Sequence, residues 1–223
     1  MPTKMKSANI TINIDNLSKI YRNKSGIREI TTCFRPGRIN LVIGGNGSGK
    51  TTLLKCIMGL VSYKGSIRKS TNRVGYAPET YVMPEFMSVR DFLWVIGRIR
   101  KNPKPEFMKG FLYYKDLLGL SECLDRPISK LSNGMRQKVN LFQAIIDEPP
   151  IVIMDEPLAS LDQAMKKTVA CTLKKLSKDH LVIISTHNPE CFRQRKKQVY
   201  EIEKGRLLDN GAHQTALALS HQS

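Results

Sequence analysis

Gly44-Gly45-Asn46-Gly47-Ser48-Gly49-Lys50-Thr51-Thr52 is the stretch from which the fold can be read. From Gly44 to Thr51 it fits G-x-x-x-x-G-K-[ST], the pattern of a loop that cradles phosphates. Before it, Ile39-Asn40-Leu41-Val42-Ile43 reads as a short buried strand. After it, residues 51–58 read as a helix with Leu53, Leu54, Ile57 and Met58 on an apolar face. A glycine turn between strand and helix aims backbone N–H groups and the positive end of the helix dipole at one point. Polyphosphate is the expected occupant. Lys50 would reach the β- and γ-phosphates, and the Thr51 hydroxyl would bind a magnesium ion. A chance glycine loop is the bland reading, and the strand-loop-helix context weighs against it.

Length and composition bound the rest. The chain has 223 residues, enough for one domain or one core with an insertion, and 41% are hydrophobic, enough for a real core. No run approaches the ~18 consecutive apolar residues of a membrane span, and residues 1–10 carry no apolar stretch of a secretory signal. The five cysteines (Cys33, Cys56, Cys123, Cys171, Cys191) contain no C-x-x-C pair, which fits reduced thiols rather than disulfides or zinc. The net charge of +17 suits polyanions: nucleotide, anionic headgroups or nucleic acid. Basic clusters lie at Lys166-Lys167, at Lys174-Lys175 and from Arg193 to Lys197; each taken singly also reads as a solvated surface.

Outward from the glycine loop, Ile10, Ile12 and Ile14 alternate with polar residues as in a strand, and Lys19-Ile20-Tyr21-Arg22-Asn23 reads as a loop. Residues 27–34 form a second strand and Pro36-Gly37 a turn. Ser66-Ile67-Arg68 and Val74-Gly75-Tyr76 are short strand-like pieces. Pro78, Pro84, Pro103 and Pro105 then punctuate a helical region. Ser88-Val89-Arg90-Asp91 resembles a capping box, followed by Val89, Phe92, Leu93, Ile96 and Ile99 at helical spacing. Phe107, Phe111, Tyr114 and Leu118 mark another helix, its aromatics read as core. Met135, Val139, Phe142 and Ile146 form one buried stripe. Ile151-Val152-Ile153-Met154 and Leu181-Val182-Ile183-Ile184 read as strands buried on both faces of a parallel sheet. Met165, Val169, Leu173 and Leu176 mark the helix between them. Residues 198–211 read as two strands around Lys204-Gly205. The 36 residues after His187 suit a hairpin and tail, not a second ordinary domain.

Asp155, Glu156 and His187 follow the carboxyl ends of buried strands, where ligands bind in open α/β sheets. The glycine loop follows a strand too, so all four can converge. Asp155 can hold magnesium through a water. Glu156 can accept a proton from an attacking water. His187 can donate to a γ-phosphate; alone it would read equally as a surface histidine.

Together these residues resemble the ATP-binding cassette (ABC) ATPases, the motor subunits of ABC transporters, over nearly the whole chain. Gly44 to Thr52 resembles the Walker A motif, Leu131-Ser132-Asn133-Gly134-Met135 the LSGGQ signature, and residues 151–156 Walker B with its glutamate. Ser160-Leu161-Asp162 resembles the D-loop, His187 the switch histidine, and Tyr21 the aromatic that stacks on adenine. The resemblance implies an α/β fold: a P-loop NTPase (RecA-like) core with an antiparallel β subdomain (residues 1–77 and 144–223) and an inserted all-helical subdomain (residues 78–143). It implies ATP and Mg2+ as ligands. ATP contacts would come from Tyr21, Gly44, Asn46, Gly47, Ser48, Gly49, Lys50, Thr51 and Thr52. Metal ligands would be Thr51, Glu79 and Asp155, with Glu156 and His187 catalytic. Two cassettes would close head to tail around two ATP molecules, Ser132 and Gly134 of one reaching the γ-phosphate held by the other, with Asp162 in the D-loop between them. Integral membrane subunits would be the further partners, placing the chain at the cytoplasmic face of the membrane, with no specific nucleic acid.

The sequence departs from the family in two places. The family places glutamine after Tyr-x-Pro, where this chain has Glu79 after Pro78. A glutamate there adds negative charge beside a polyphosphate, and altered metal dependence or slower turnover is expected. In the signature, Asn133 and Met135 replace glycine and glutamine. That form is similar to one found in an exporter branch, so export is expected. The competing reading is a soluble ABC ATPase acting on ribosomes or nucleic acid. The charge favours it, but such proteins carry two cassettes or long insertions, and this chain has one glycine loop. A regulatory cassette that binds without hydrolysing is the third reading; Lys50, Asp155, Glu156 and His187 argue against it, and Glu79 for it.

Overall fold

The computed structural model describes residues 9–100, 104–192 and 197–208. Its strands are β1 (Ile12–Ile20), β2 (Gly26–Phe34), β3 (Ile39–Ile43), β4 (Lys64–Lys69), β5 (Val74–Ala77), β6 (Ile151–Asp155), β7 (Leu181–Thr186), β8 (Lys197–Glu203) and β9 (Arg206–Leu207). Its α-helices are α1 (Lys50–Met58), α2 (Val89–Ile99), α3 (Lys104–Leu117), α4 (Asn133–Ile145) and α5 (Gln163–Leu176).

Six strands form the central sheet in the order β5-β6-β7-β3-β8-β9, parallel except for β9. The apolar runs explain why β6 and β7 lie inside it. Every residue of both is buried, and successive side chains feed two different cores. Ile151 and Ile153 join α1 and the antiparallel strands on one face. Val152 and Met154 join the helices on the other. The second sheet, β2-β1-β4, is antiparallel.

Between β5 and β6 the chain is helical. Ser88 caps α2, its Oγ accepting from the Asp91 N–H at 3.0 Å. The expected aromatic positions are core: Phe107, Phe111, Tyr114 and Leu118 are all buried. Trp94 packs on Phe107 at 5.0 Å and Phe111 on Phe142 at 5.7 Å, so tilted aromatic rings knit α2, α3 and α4 together. Among the described residues, no helix is long and apolar enough to cross a membrane.

Two expectations change. Lys19 and Ile20 are strand, not loop: β1 runs from Ile12 to Ile20, which pairs with Gly26, and its register against β2 shifts between Ile14 and Leu17 and again between Leu17 and Lys19. The alternation stops being legible because irregular pairing between Ile14 and Leu17, with Asn16 at a φ of 46°, inserts a break into the period of two. At the other end, β9 stops at Leu207, Leu208 is not in a strand, and residues 209–211 of the expected strand lie outside the described residues. So does most of the Arg193 to Lys197 cluster.

Candidate active site

The glycine loop leaves β3 and enters α1 by way of backbone that side chains resist. Gly44 has a φ of 149°, and a Cβ there would stand 2.3 Å from the Ile202 carbonyl oxygen. Gly49, at a φ of 114°, is the N-cap of α1, and a Cβ would stand 2.6 Å from Ile27 Cγ2. No side chain caps α1 and its first turn holds no acidic residue. Its leading N–H groups and its dipole are therefore left to an anion. Lys50 is buried and folds back on the loop, its Nζ donating to Gly44 O at 2.9 Å and Gly45 O at 3.1 Å. Asn46, Gly47, Ser48, Thr51 and Thr52 complete the loop and the helix start; Ser48 is buried and its Oγ has no partner.

The loop is braced from the far end of the sequence. Gly205, in the β8–β9 turn, donates its N–H to Ser48 O at 3.0 Å and accepts from the Arg28 N–H at 2.8 Å. Gly26, Gly49 and Gly205 meet here: a Cβ on Gly205 would stand 2.4 Å from Gly26 O.

Register places the acidic and basic groups beside this loop. Ile43 of β3 pairs with Thr186 of β7, and Asp155 of β6 pairs with Ser185. Gly44, Asp155, Glu156 and His187 thus all emerge at the same edge. Asp155 is 1% exposed. Its Oδ1 accepts from Ser185 Oγ, and its Oδ2 is buried with no partner. Glu156 turns out of β6 at a φ of 48°, its N–H donating to Ser185 O at 3.1 Å. Its Oε1 accepts from the His187 N–H at 2.8 Å and lies 2.9 Å from His187 Nδ1. A proton on Nδ1 completes that contact, and the ring remains 61% exposed on its outer side.

Sequence reading missed Ser185, which orients both Asp155 and Glu156; the available signal was a hydroxyl closing an otherwise apolar strand. It also missed the role of Tyr76. This residue shares the α1 face of the sheet with Asp155, since it pairs with Ile153. Its hydroxyl is buried without a partner. Burial, then the charges of Asp155 and Glu79, push its phenol well above the ordinary range. Glu79 follows β5 at the neighbouring strand end and is exposed.

A magnesium ion fits these residues. A hard cation takes oxygen ligands and keeps waters or phosphate oxygens in its shell. Asp155 offers a buried oxygen with no partner, and Thr51 lies in the first turn of α1. The described residues hold no cluster of three His, Cys, Asp or Glu side chains that could hold a metal ion.

Other expected residues cap helices or sit in turns. Ser132 caps α4, accepting from the Met135 N–H at 3.3 Å. Gly134 sits under Ser160, where a Cβ would stand 3.0 Å from the carbonyl oxygen. Asp162 caps α5, accepting from the Met165 N–H at 2.8 Å. Among the described residues, no hydrogen bond joins Ser132 or Gly134 to the glycine loop of the same chain. Tyr21 lies in the β1–β2 turn, with Lys19 Nζ 5.1 Å from its ring centroid.

Comparison with known proteins agrees with this architecture. A family model described as ABC transporter matches residues 27–159. ABC transporter G family member 23 of Dictyostelium discoideum is 30% identical over 91% of the chain, which spans only 31% of that relative's length. An uncharacterised ABC transporter ATP-binding protein of Methanocaldococcus jannaschii is 29% identical over 90% of the chain and 77% of its own. The spermidine/putrescine import ATP-binding protein PotA of Bacteroides thetaiotaomicron is 28% identical over 90% of the chain and 46% of its own. A solved ATP-binding subunit of an ABC transporter superposes with a TM-score of 0.82 over 95% of this chain and 99% of that one, at 23% identity, which shows a shared fold.

Proposed function

The chain belongs to the ABC transporter family, and from that premise we propose that it is an ATP-hydrolysing motor that drives transport through separate membrane subunits. The observation that carries this reading is the convergence of the glycine loop, Asp155, Glu156 and His187 at one sheet edge.

The triphosphate of ATP lies along the loop, against the Lys50 ammonium and the start of α1. Lys50 exchanges its two carbonyl partners for phosphate oxygens. Thr51, Asp155 and Glu79 would hold a magnesium ion, which would supply charge neutralisation on the triphosphate. Glu156, one oxygen engaged by His187, has the other with which to take a proton from water. That water's oxygen bonds to the γ-phosphorus as the bond to the bridging oxygen breaks, leaving ADP and phosphate. Tyr21 stacks on adenine.

Ser132 and Gly134 open a helix and, among the described residues, make no hydrogen bond to their own glycine loop, which supports a role across a dimer, on the nucleotide held by a second cassette. Asp162 lies in the D-loop of that interface. We divide the chain into a core with its antiparallel subdomain (1–77 and 144–223) and a helical subdomain (78–143). Val82 is 98% and Phe86 86% exposed, close in sequence to Glu79. Apolar side chains so placed support docking of membrane subunits there, at the cytoplasmic face. Export is the proposed direction, from the Leu131-Ser132-Asn133-Gly134-Met135 form of the signature; PotA carries import in its name. A glutamate at position 79 slows turnover or changes its Mg2+ dependence, and Glu79→Gln should reverse that.

The test is ATP turnover by the wild type and Glu156→Gln, with molecular size measured with and without ATP. Hydrolysis by the wild type, together with an inactive variant that dimerises in ATP, supports the motor. Binding without hydrolysis, even when the membrane subunits are reconstituted, would leave a regulatory cassette instead.

A further inference from the structure

Three buried primary amides follow one another along α4 at three-residue spacing: Gln137, Asn140 and Gln143. Each donates to a backbone carbonyl outside the helix. Gln137 Nε2 donates to Pro157 O at 3.0 Å, Asn140 Nδ2 to Pro78 O at 2.9 Å, and Gln143 Nε2 to Tyr76 O at 2.5 Å. The last two are linked, with Gln143 Nε2 3.4 Å from Asn140 Oδ1. Arg100 holds Gln143 in turn, its Nη2 donating to Oε1 at 3.1 Å and its Nη1 to the carbonyl at 2.7 Å.

Buried amides cost stability unless they are bonded. Their neighbours Val139, Leu141 and Phe142 show that apolar side chains suit this helix. What the amides hold therefore matters. Pro157 follows Glu156 directly. Pro78 and Tyr76 flank Ala77, and the next residue is Glu79. Gly75 sets the depth of the contact: a Cβ there would stand 1.8 Å from Ala144 O, so β5 lies backbone to backbone on α4. From that point two carbonyls are fixed, and the proline ring fixes one more torsion. Little freedom is left in the path from Tyr76 to Glu79.

We propose that Asn140 and Gln143 are positioning residues for ATP turnover: by holding the carbonyls of Pro78 and Tyr76 they set where the Glu79 carboxylate stands relative to Asp155. The inference rests on the reading of Glu79 as a ligand of the magnesium-bound triphosphate. Neither amide touches nucleotide; both act through the backbone that carries Glu79. They also tie that backbone to the helix that Ser132 opens.

The experiment compares the full chain with Asn140→Ala, Gln143→Met and Glu79→Ala. ATP affinity is measured by calorimetry in Mg2+ and in EDTA, alongside the thermal midpoint without nucleotide and ATP turnover. Removing a group that orients a metal ligand costs about tenfold or more in metal-dependent affinity. The expected result is that all three variants lose about tenfold in Mg2+ and nothing in EDTA. If Glu79→Ala loses the Mg2+ gain while Asn140→Ala and Gln143→Met lose only thermal stability, the amides are packing groups and the inference is overturned. If Glu79→Ala keeps the full Mg2+ gain, the Glu79 reading falls, and the inference with it. Gln143→Met, nearly isosteric, serves as the decisive variant should Asn140→Ala not fold.

Discussion

His187 grips Glu156 twice through one oxygen: its backbone N–H lies 2.8 Å and its ring Nδ1 2.9 Å from Glu156 Oε1. The backbone contact survives any change of the ring. His187→Ala should therefore leave Glu156 in place and act on chemistry. Turnover should fall by about 10²–10⁴-fold, the range for a lost acid–base partner, with ATP affinity little changed. Turnover and equilibrium ATP binding, measured on the same preparation, check this. An affinity loss as large as the rate loss would show that His187 contributes to ground-state binding instead.

Gly205 and Gly37 make a controlled pair. Both have positive φ, 81° and 86°, but a Cβ on Gly37 meets nothing within 4 Å. Gly37→Ala should cost only the left-handed backbone penalty, about 1–2 kcal/mol, and leave ATP binding intact. Gly205→Ala also pushes on Gly26 O and on the brace to Ser48. It should weaken ATP binding by about tenfold or more, equivalent to ~1.4 kcal/mol. Thermal midpoints and ATP dissociation constants of both variants separate the two effects.

Asp155 is arranged for a ligand rather than for stability, since Oδ2 is buried without a partner. Asp155→Asn should raise the thermal midpoint of the nucleotide-free chain, by about 2–4 °C for each kcal/mol relieved. The same variant should lose the strengthening of ATP binding by Mg2+. Melting curves and ATP affinity with Mg2+ or EDTA check both halves.

Burial pushes the Cys56 thiol from 9.0 up to about 11, with the Lys19 charge pulling weakly the other way, and burial also raises Cys123. The unfolded chain thus releases the Cys56 proton first. Stability from this group is fully present below about pH 9 and is lost as pH rises towards about 11. The fall in denaturant midpoint across that window should be smaller in Cys56→Ala than in the wild type, the remainder coming from Tyr76, Tyr114 and Tyr200, whose phenols burial also raises. Alkylation of the native chain near neutral pH should reach exposed Cys171 long before Cys56 or Cys123.

Much of this was legible because it is local. Ser88 and Ser132 precede helices and cap them. The alternating cores behind β6 and β7 follow from unbroken apolar runs. Where the pattern breaks, as at Asn16, the reading broke too, because a bulge shifts which side chains face inward without any change in composition.

The sequence alone determined the glycine loop, the apolar strands, the helix caps and the residue types at the strand ends, since each depends on backbone preference or periodicity within a few positions. The tertiary structure decided what those pieces do to one another. It set the order β6-β7-β3, which brings Asp155 and His187 beside Gly44. It brought Gly205 against Gly26 behind the loop, closed His187 onto Glu156, and turned three amides of α4 towards distant carbonyls. These are hydrogen bonds and close approaches between residues far apart in the chain, and their geometry exists only once both cores have packed.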